Sequence, residues 1–87
     1  MHAVVVRVTI GNLEGSVDEL QNQVVPQAKQ APGFQAGYWT RLGSSGLSMV
    51  VFESEQAANA ASQMVRSSVP SGVTIDDVEV REVVAHA

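Results

Sequence analysis

The residues best suited to chemistry lie together near the middle of the chain, at Tyr38, Trp39 and Arg41. In an extended strand, alternation places Trp39 and Arg41 on one face and Tyr38 on the other. Phe34 and Ala36 are expected to share the face of Tyr38. An arginine beside an aromatic ring can hold a carboxylate or a phenolate through charge-assisted hydrogen bonds. We therefore take Trp39, Arg41 and Tyr38 as candidate ligand-binding residues, and we assign no catalytic residue.

A purely structural interpretation of the same residues stays open. Trp39 is the only tryptophan and can belong to the core or to a dimer interface, while Arg41 can extend into solvent from a strand end. One sequence does not determine which face of the strand points inward. Arg7 is a second charge within an apolar strand, and we expect it to need a buried partner on the last strand. The candidates are Glu79, Arg81 and Glu82.

No other group of residues forms a recognisable catalytic or metal site. The chain contains no cysteine, which excludes disulfides and thiolate chemistry. His2 and His86 lie at the two ends of the sequence without an organised carboxylate, so we expect both to be solvated. The acidic group of Asp76, Asp77 and Glu79 lacks calcium-loop spacing and is typical of a solvated strand end. We predict neither a metal nor a cofactor.

Composition limits the class of protein and its partners. The 87 residues make one domain, residues 1–87, and 45% hydrophobic against 16% charged residues indicates a folded chain. A net charge of −4 without any cluster of Lys or Arg disfavours nucleic acid and anionic membrane surfaces as partners. No apolar stretch approaches the roughly 20 residues of a membrane span, and no signal peptide is visible. We therefore expect a cytoplasmic protein.

The elements that must position these residues begin with four strands. Sixteen valines favour a sheet as the framework. The strands are predicted over residues 3–10, 34–42, 47–52 and 73–84, the last one bulged or bent at Asp76 and Asp77. A compact hairpin loop, residues 43–46, joins the second strand to the third.

Two helices are predicted between the strands. The first has Ser16 as its N-cap and ends before Pro32, with a kink or a restart at Pro26. The second has Ser54 as its N-cap and extends to about Ser68. The order is therefore β-α-β-β-α-β, an α+β ferredoxin-like arrangement with a four-stranded antiparallel sheet and two helices on one face.

The predicted sheet is apolar on both faces. In the first strand, Val4 and Val6 alternate with Ala3 and Val5, so neither side carries the polar residues of a hydrated face. Two helices cover only one face of a four-stranded sheet. We therefore predict a homodimer that buries the face without helices.

Two short motifs resemble a known superfamily. Pro32-Gly33-Phe34, followed by Gly37 and two aromatic residues, resembles the dimeric α+β-barrel superfamily, in particular its antibiotic-biosynthesis-monooxygenase-like branch. The segment 52–57, Phe-Glu-Ser-Glu-Gln-Ala, is similar to the Trp-Glu-Ser-Glu-x-Ala motif of that branch. The resemblance implies a homodimer with its two sheets face to face and a small apolar cavity between the sheet and helices of each subunit.

The resemblance also implies an activity, that of a small cofactor-independent monooxygenase acting on aromatic or polyketide-type substrates. Heme-degrading members of the superfamily use a Trp, a helical His and an Asn on the first strand. Here Phe52 replaces the Trp, the second helix has no His, and Asn12 lies beyond the strand, so we expect no heme.

An alternative to this activity is a non-catalytic homodimeric module that binds a small apolar ligand or serves as an accessory subunit. The residues, taken without the resemblance, slightly favour this alternative. An oxygenase requires Arg41 to face a cavity with Trp39 or Tyr38 on its wall, whereas a module is expected to be packed shut. Small side chains on the second helix allow close approach to the sheet. We therefore expect a cavity that holds no more than two rings.

Overall fold

The structure is a computed structural model that describes residues 1–11, 22, 24–67 and 72–87. The described part contains four strands and two helices. The strands are β1 (His2–Ile10), β2 (Phe34–Leu42), β3 (Ser45–Phe52) and β4 (Val73–Glu82). The helices are α1 (Val25–Gln30), between β1 and β2, and α2 (Glu55–Ser67), between β3 and β4. The predicted β-α-β-β-α-β order is confirmed.

The four strands form one antiparallel sheet in the order β2-β3-β1-β4. The first and last strands are therefore neighbours, and β1 lies in the interior of the sheet. Val4 at its centre pairs with Val50 of β3 on one side and with Val80 of β4 on the other. This topology confirms the predicted α+β ferredoxin-like fold.

The pairing of β1 with β4 contains the predicted irregularity. Arg7 lies opposite Asp77, but the next residue, Val8, lies opposite Ile75, so Asp76 is the extra residue of a bulge. The Thr9 hydroxyl donates a 2.7 Å hydrogen bond to Oδ2 of Asp76. The two adjacent acids in the sequence thus coincide with the place where the register shifts.

A second register shift, at the start of β2, corrects the prediction for Phe34. Phe34 lies opposite Phe52, while Ala36 lies opposite Val51, so Gln35 has no partner of its own. The shift turns Phe34 away from the face of Ala36 and Tyr38. Its ring meets that of Phe52 edge to face, with centroids 6.3 Å apart and planes at 81°.

The hairpin between β2 and β3 is tighter than predicted. β3 already begins at Ser45, which leaves only Gly43 and Ser44 in the turn. Gly43 has a φ of 62°, and a positive φ at the first of two turn residues matches the twist of the flanking strands. The tight turn fixes the register that places Arg41 opposite Gly46.

The second helix begins where the sequence predicts. The Ser54 hydroxyl accepts a 3.1 Å hydrogen bond from the Ala57 amide, which confirms Ser54 as a helix cap. α1 has Pro26 in its first turn, where no amide donor is needed. Asn22 and Val24, just before it, are also helical, and the segment that separates a kink from a restart lies outside the described residues. The predicted Ser16 cap and the predicted end at Ser68 lie outside the described residues.

The core lies between the helices and one face of the sheet. α2 packs against β4, β1 and β3, and α1 packs against β2. Valines of the central strands, Phe52 and the helical Ala58 form its fully buried part. These residues are Val4, Val6, Val50, Phe52 and Ala58. Ala58 is completely inaccessible, as expected for a helix that approaches a sheet closely.

The opposite face of the sheet has no helix over it in the described part of the chain. Its β2 and β3 half exposes large apolar side chains, whereas its β1 and β4 half carries charged ones. The exposed apolar residues are Tyr38, Leu42, Leu47 and Met49. We call this surface the open face. Among the described residues, no helix is long and apolar enough to cross a membrane.

Candidate ligand-binding site

A cavity of about 420 Å³ lies between the inner face of the sheet and the helices. Alternate residues of β1, β2 and β3 form its floor, and small or flexible residues of the helices form its roof. The floor includes Val4, Val6, Val8, Trp39, Arg41, Gly46, Ser48 and Val50. The roof includes Ala28 of α1 and Ala61, Met64 and Val65 of α2.

The described lining is apolar with few polar groups. Arg41 is the only charged residue among the described residues of this lining. Ser48, Gln27 and the Trp39 indole supply the remaining polar side chains. The Thr40 side chain lies on the opposite face and donates a 2.6 Å hydrogen bond to the Leu47 carbonyl. A cavity of this composition suits an apolar body with one anionic group, because a few placed polar groups fix the orientation of a mostly apolar ligand.

Trp39 lies on the inner face of β2. It pairs with Ser48 of β3, is half-buried, and packs against the buried core cluster. The indole therefore forms part of the cavity wall. Its large flat surface can stack against an aromatic ring in an offset or edge-to-face arrangement.

Arg41 lies on the same face, one alternation further along β2. It pairs with Gly46, which is buried and has no side chain. A Cβ atom at Gly46 would lie only 2.6 Å from Cγ2 of Val8, so the absent side chain lets the two strands pack here. Arg41 itself is exposed, and no carboxylate of the described residues lies within 4 Å of it. With respect to the described residues, the guanidinium can therefore bind an anion.

Tyr38 is separated from the other two candidates. It lies on the open face, 66% exposed, and does not line the cavity. The structure thus brings together Trp39 and Arg41 but not Tyr38. Sequence reasoning missed two lining residues, Gly46 and Ser48. Their small size leaves room opposite Arg41 and Trp39. The signal that could have identified them is a pair of small residues within an otherwise apolar strand.

The cavity is larger than the sequence predicted. A volume of about 420 Å³ falls within the range of about 300–1,000 Å³ found for pockets that hold drug-sized ligands. The alanines do bring α2 close to the sheet, but the space still extends across the inner face, from Trp39 on β2 to Ile75 on β4. The expectation of a cavity too tight for a multi-ring compound is therefore wrong.

His2 is not solvated in the way the sequence predicted. Its Nε2 lies 3.2 Å from Oε2 of Glu55, at the start of α2, and its side chain is 20% exposed. The Nδ1 atom is buried and has no hydrogen-bond partner in the described part of the chain. The strand extends to His2, which shares the inner face with Val4, and this buries the ring. His86 is exposed, as expected.

The charges of the open face lie at its β1 and β4 side. Arg81 Nε donates a 2.6 Å hydrogen bond to Oε2 of Glu79. This bond and the positive charge of Arg81 lower the pKa of the Glu79 carboxyl, with a smaller contribution from Arg7. Arg7 lies opposite Asp77, and its charge acts on Glu79, one of the partners predicted for it on the last strand. Within the single chain Arg7 is exposed, so this partner is not a buried one.

The described residues contain no group of three or more His, Cys, Asp or Glu that could hold a metal ion. No protein-family model matches this chain, and no curated protein matches it. The fold is thus shown by the sheet topology, whereas the resemblance to the monooxygenase-like branch rests on its two motifs alone.

Proposed function

We propose that this chain binds a small aromatic compound with one anionic oxygen group in the cavity between its sheet and helices. The observation that carries the proposal is the apolar lining, in which Arg41 is the only charged residue among those described. An aromatic body removes its surface from water against the valines and Trp39. A carboxylate or a phenolate completes the fit by pairing with Arg41.

A second candidate function is cofactor-independent oxygenation of such a ligand. Arg41 favours it, because a guanidinium stabilises the phenolate form of a bound phenol, and that anion is the species that reacts with oxygen. Orientation and anion stabilisation then supply the catalysis. A cavity with Arg41 and Trp39 on its wall is also what the sequence analysis requires of an oxygenase. The described lining holds no Asp, Glu, His, Cys or Lys, and binding is the step that both candidate functions share, so binding is the primary proposal.

Isothermal titration calorimetry with naphthoate tests the binding proposal. Wild-type protein is expected to bind this two-ring carboxylate, and Arg41→Gln is expected to weaken binding about tenfold or more, since a charge-assisted hydrogen bond is lost. Arg7→Gln is the matched control, because it removes the same charge from the open face of β1, on the other side of the sheet from the cavity. Equal losses in the two variants, or no binding by the wild type, would contradict the proposal.

Oxygen uptake separates the two candidate functions. With dihydroxynaphthalene as the probe, an oxygenase is expected to raise the rate of oxygen consumption above that of the probe in buffer alone. Arg41→Gln is expected to abolish this increase. A binding module binds the same compound without any excess uptake. The two outcomes require no added metal or cofactor.

We also propose that the open face pairs with the open face of a second copy of this chain. The apolar half of the open face, which includes Tyr38 and Met49, exposes a surface that another apolar surface can bury. Its charged half carries two arginines and two acids, so two copies related by a twofold axis meet without an excess of either charge. These charged residues are Arg7, Asp77, Glu79 and Arg81.

A further inference from the structure

We infer that Gly37 sets the width of the cavity, because the absence of a side chain at Gly37 lets the Trp39 indole pack directly against the sheet. The inference rests on the proposed ligand binding. Gly37 and Trp39 lie two residues apart on the inner face of β2. A Cβ atom at Gly37 would lie 2.7 Å from Cη2 and 2.9 Å from Cζ3 of Trp39. The six-membered ring of the indole therefore lies directly over the Gly37 backbone.

The surroundings of Gly37 determine where a displaced indole would go. The same Cβ position lies 3.5 Å from Cε2 of Phe34, so the Phe34 ring blocks movement along β2 toward its start. The sheet lies beneath the indole, with Gly37 paired to Val50 of β3. Away from the sheet, the indole faces the cavity, which Trp39 and Val50 both line.

The absence of a side chain at Gly37 thus has a consequence for specificity. With glycine, the indole lies against the backbone of β2 and leaves width for a ligand of several fused rings. With alanine, the indole rises into the cavity and excludes wide ligands first, while a single ring retains its place beside Arg41. Gly37 acts through Trp39 and is a positioning residue for the ligand-binding site.

The test compares wild type and Gly37→Ala by calorimetry with benzoate, naphthoate and anthracene carboxylate. Gly37→Ala is expected to weaken the binding of anthracene carboxylate about tenfold or more. The displaced indole leaves too little space in the cavity for three rings, and overpacking is unfavourable. The affinity for benzoate is expected to stay within about twofold. Because Trp39 is the only tryptophan, its fluorescence emission in the free protein reports the movement of the indole directly.

The double variant Gly37→Ala with Trp39→Phe is the decisive companion. A phenylalanine ring does not reach the positions of Cη2 and Cζ3, so the double variant is expected to recover binding of the widest probe. Ala36→Gly on the open face controls for a general change in strand stability. An equal loss for all three probes with unchanged Trp39 emission would overturn the inference alone. If the wild type binds none of the probes, the proposed function falls and the inference with it.

Discussion

At the scale of single residues, the face of a strand decides what a side chain can do. Trp39 and Arg41 share the cavity, while Tyr38, their neighbour in sequence, lies exposed on the open face. Alternation along β2 predicts the separation correctly. It does not reveal which face points inward, because the helices that cover that face come from other parts of the sequence.

The Glu79–Arg81 pair gives a prediction at this scale. Arg81→Gln removes the main cause of the lowered Glu79 pKa, so the pKa of this carboxyl is expected to rise toward its ordinary value. A carbon NMR titration of the carboxyl group measures the change. Arg7→Gln is the control and is expected to give a smaller rise, since Arg7 contributes least. An unchanged pKa in Arg81→Gln would contradict the assignment.

The sign of the accompanying pH dependence follows from the direction of the shift. A carboxyl whose pKa is lower in the folded than in the unfolded chain stabilises the fold above its unfolded pKa. That contribution is lost as the pH falls through the lowered folded value. The difference in unfolding free energy between wild type and Arg81→Gln is therefore expected to shrink on acidification.

At the scale of elements, the two motifs noticed in the sequence meet in space. The Glu53 amide donates a 2.8 Å hydrogen bond to the carbonyl of Gly33, and the rings of Phe34 and Phe52 touch edge to face. A Cβ atom at Gly33 would lie 2.9 Å from that of Ala57, on α2. The turn before β2 therefore contacts the junction of β3 and α2, and residues of both motifs take part in this contact.

This junction predicts the effect of Gly33→Ala. Gly33 has a φ of 82°, and a non-glycine residue in that region costs about 1–3 kcal/mol. Crowding against Ala57 adds to this cost. Urea unfolding measures the change. Gly43→Ala is the matched control, because Gly43 also has a positive φ but no atom within 4 Å of its Cβ position. We expect Gly33→Ala to destabilise more than Gly43→Ala, and equal losses would contradict the role of the contact.

The order of elements was predictable because valine-rich strands, Ser54 and Pro26 each carry a local signal. The register shift after Phe34 was not, because nothing in the local sequence distinguishes a bulge there from regular alternation. The pairing of Phe34 with Phe52 results from a contact between distant segments. His2 was missed for the same reason, since its partner Glu55 belongs to α2.

At the scale of the whole molecule, the sheet separates two kinds of surface. The inner face holds the core and the cavity, and the open face exposes an apolar half beside a charged half. The proposed dimer covers the open face and leaves the cavity on the inner face accessible. Ligand binding and assembly are therefore expected to respond to different substitutions.

The dimer proposal predicts the effect of Met49→Asp. Met49 pairs with both Tyr38 and Val5 and lies in the middle of the open face. An unpaired charge buried there is expected to weaken association about 100-fold. Sedimentation at micromolar concentration measures it. Gln63→Glu, on an exposed position of α2, is expected to leave the dimer intact. A monomeric wild type near 9.2 kDa would contradict the proposal.

The central claim is that the ligand lies between the sheet and the helices. Intermolecular nuclear Overhauser effects between naphthoate ring protons and protein methyl groups test it most directly, because neighbouring valines point to opposite faces. We expect contacts to the methyl groups of Val6 and Val50, which line the cavity. Contacts to Val5 and Met49 on the open face, with none to Val6 or Val50, would contradict the claim.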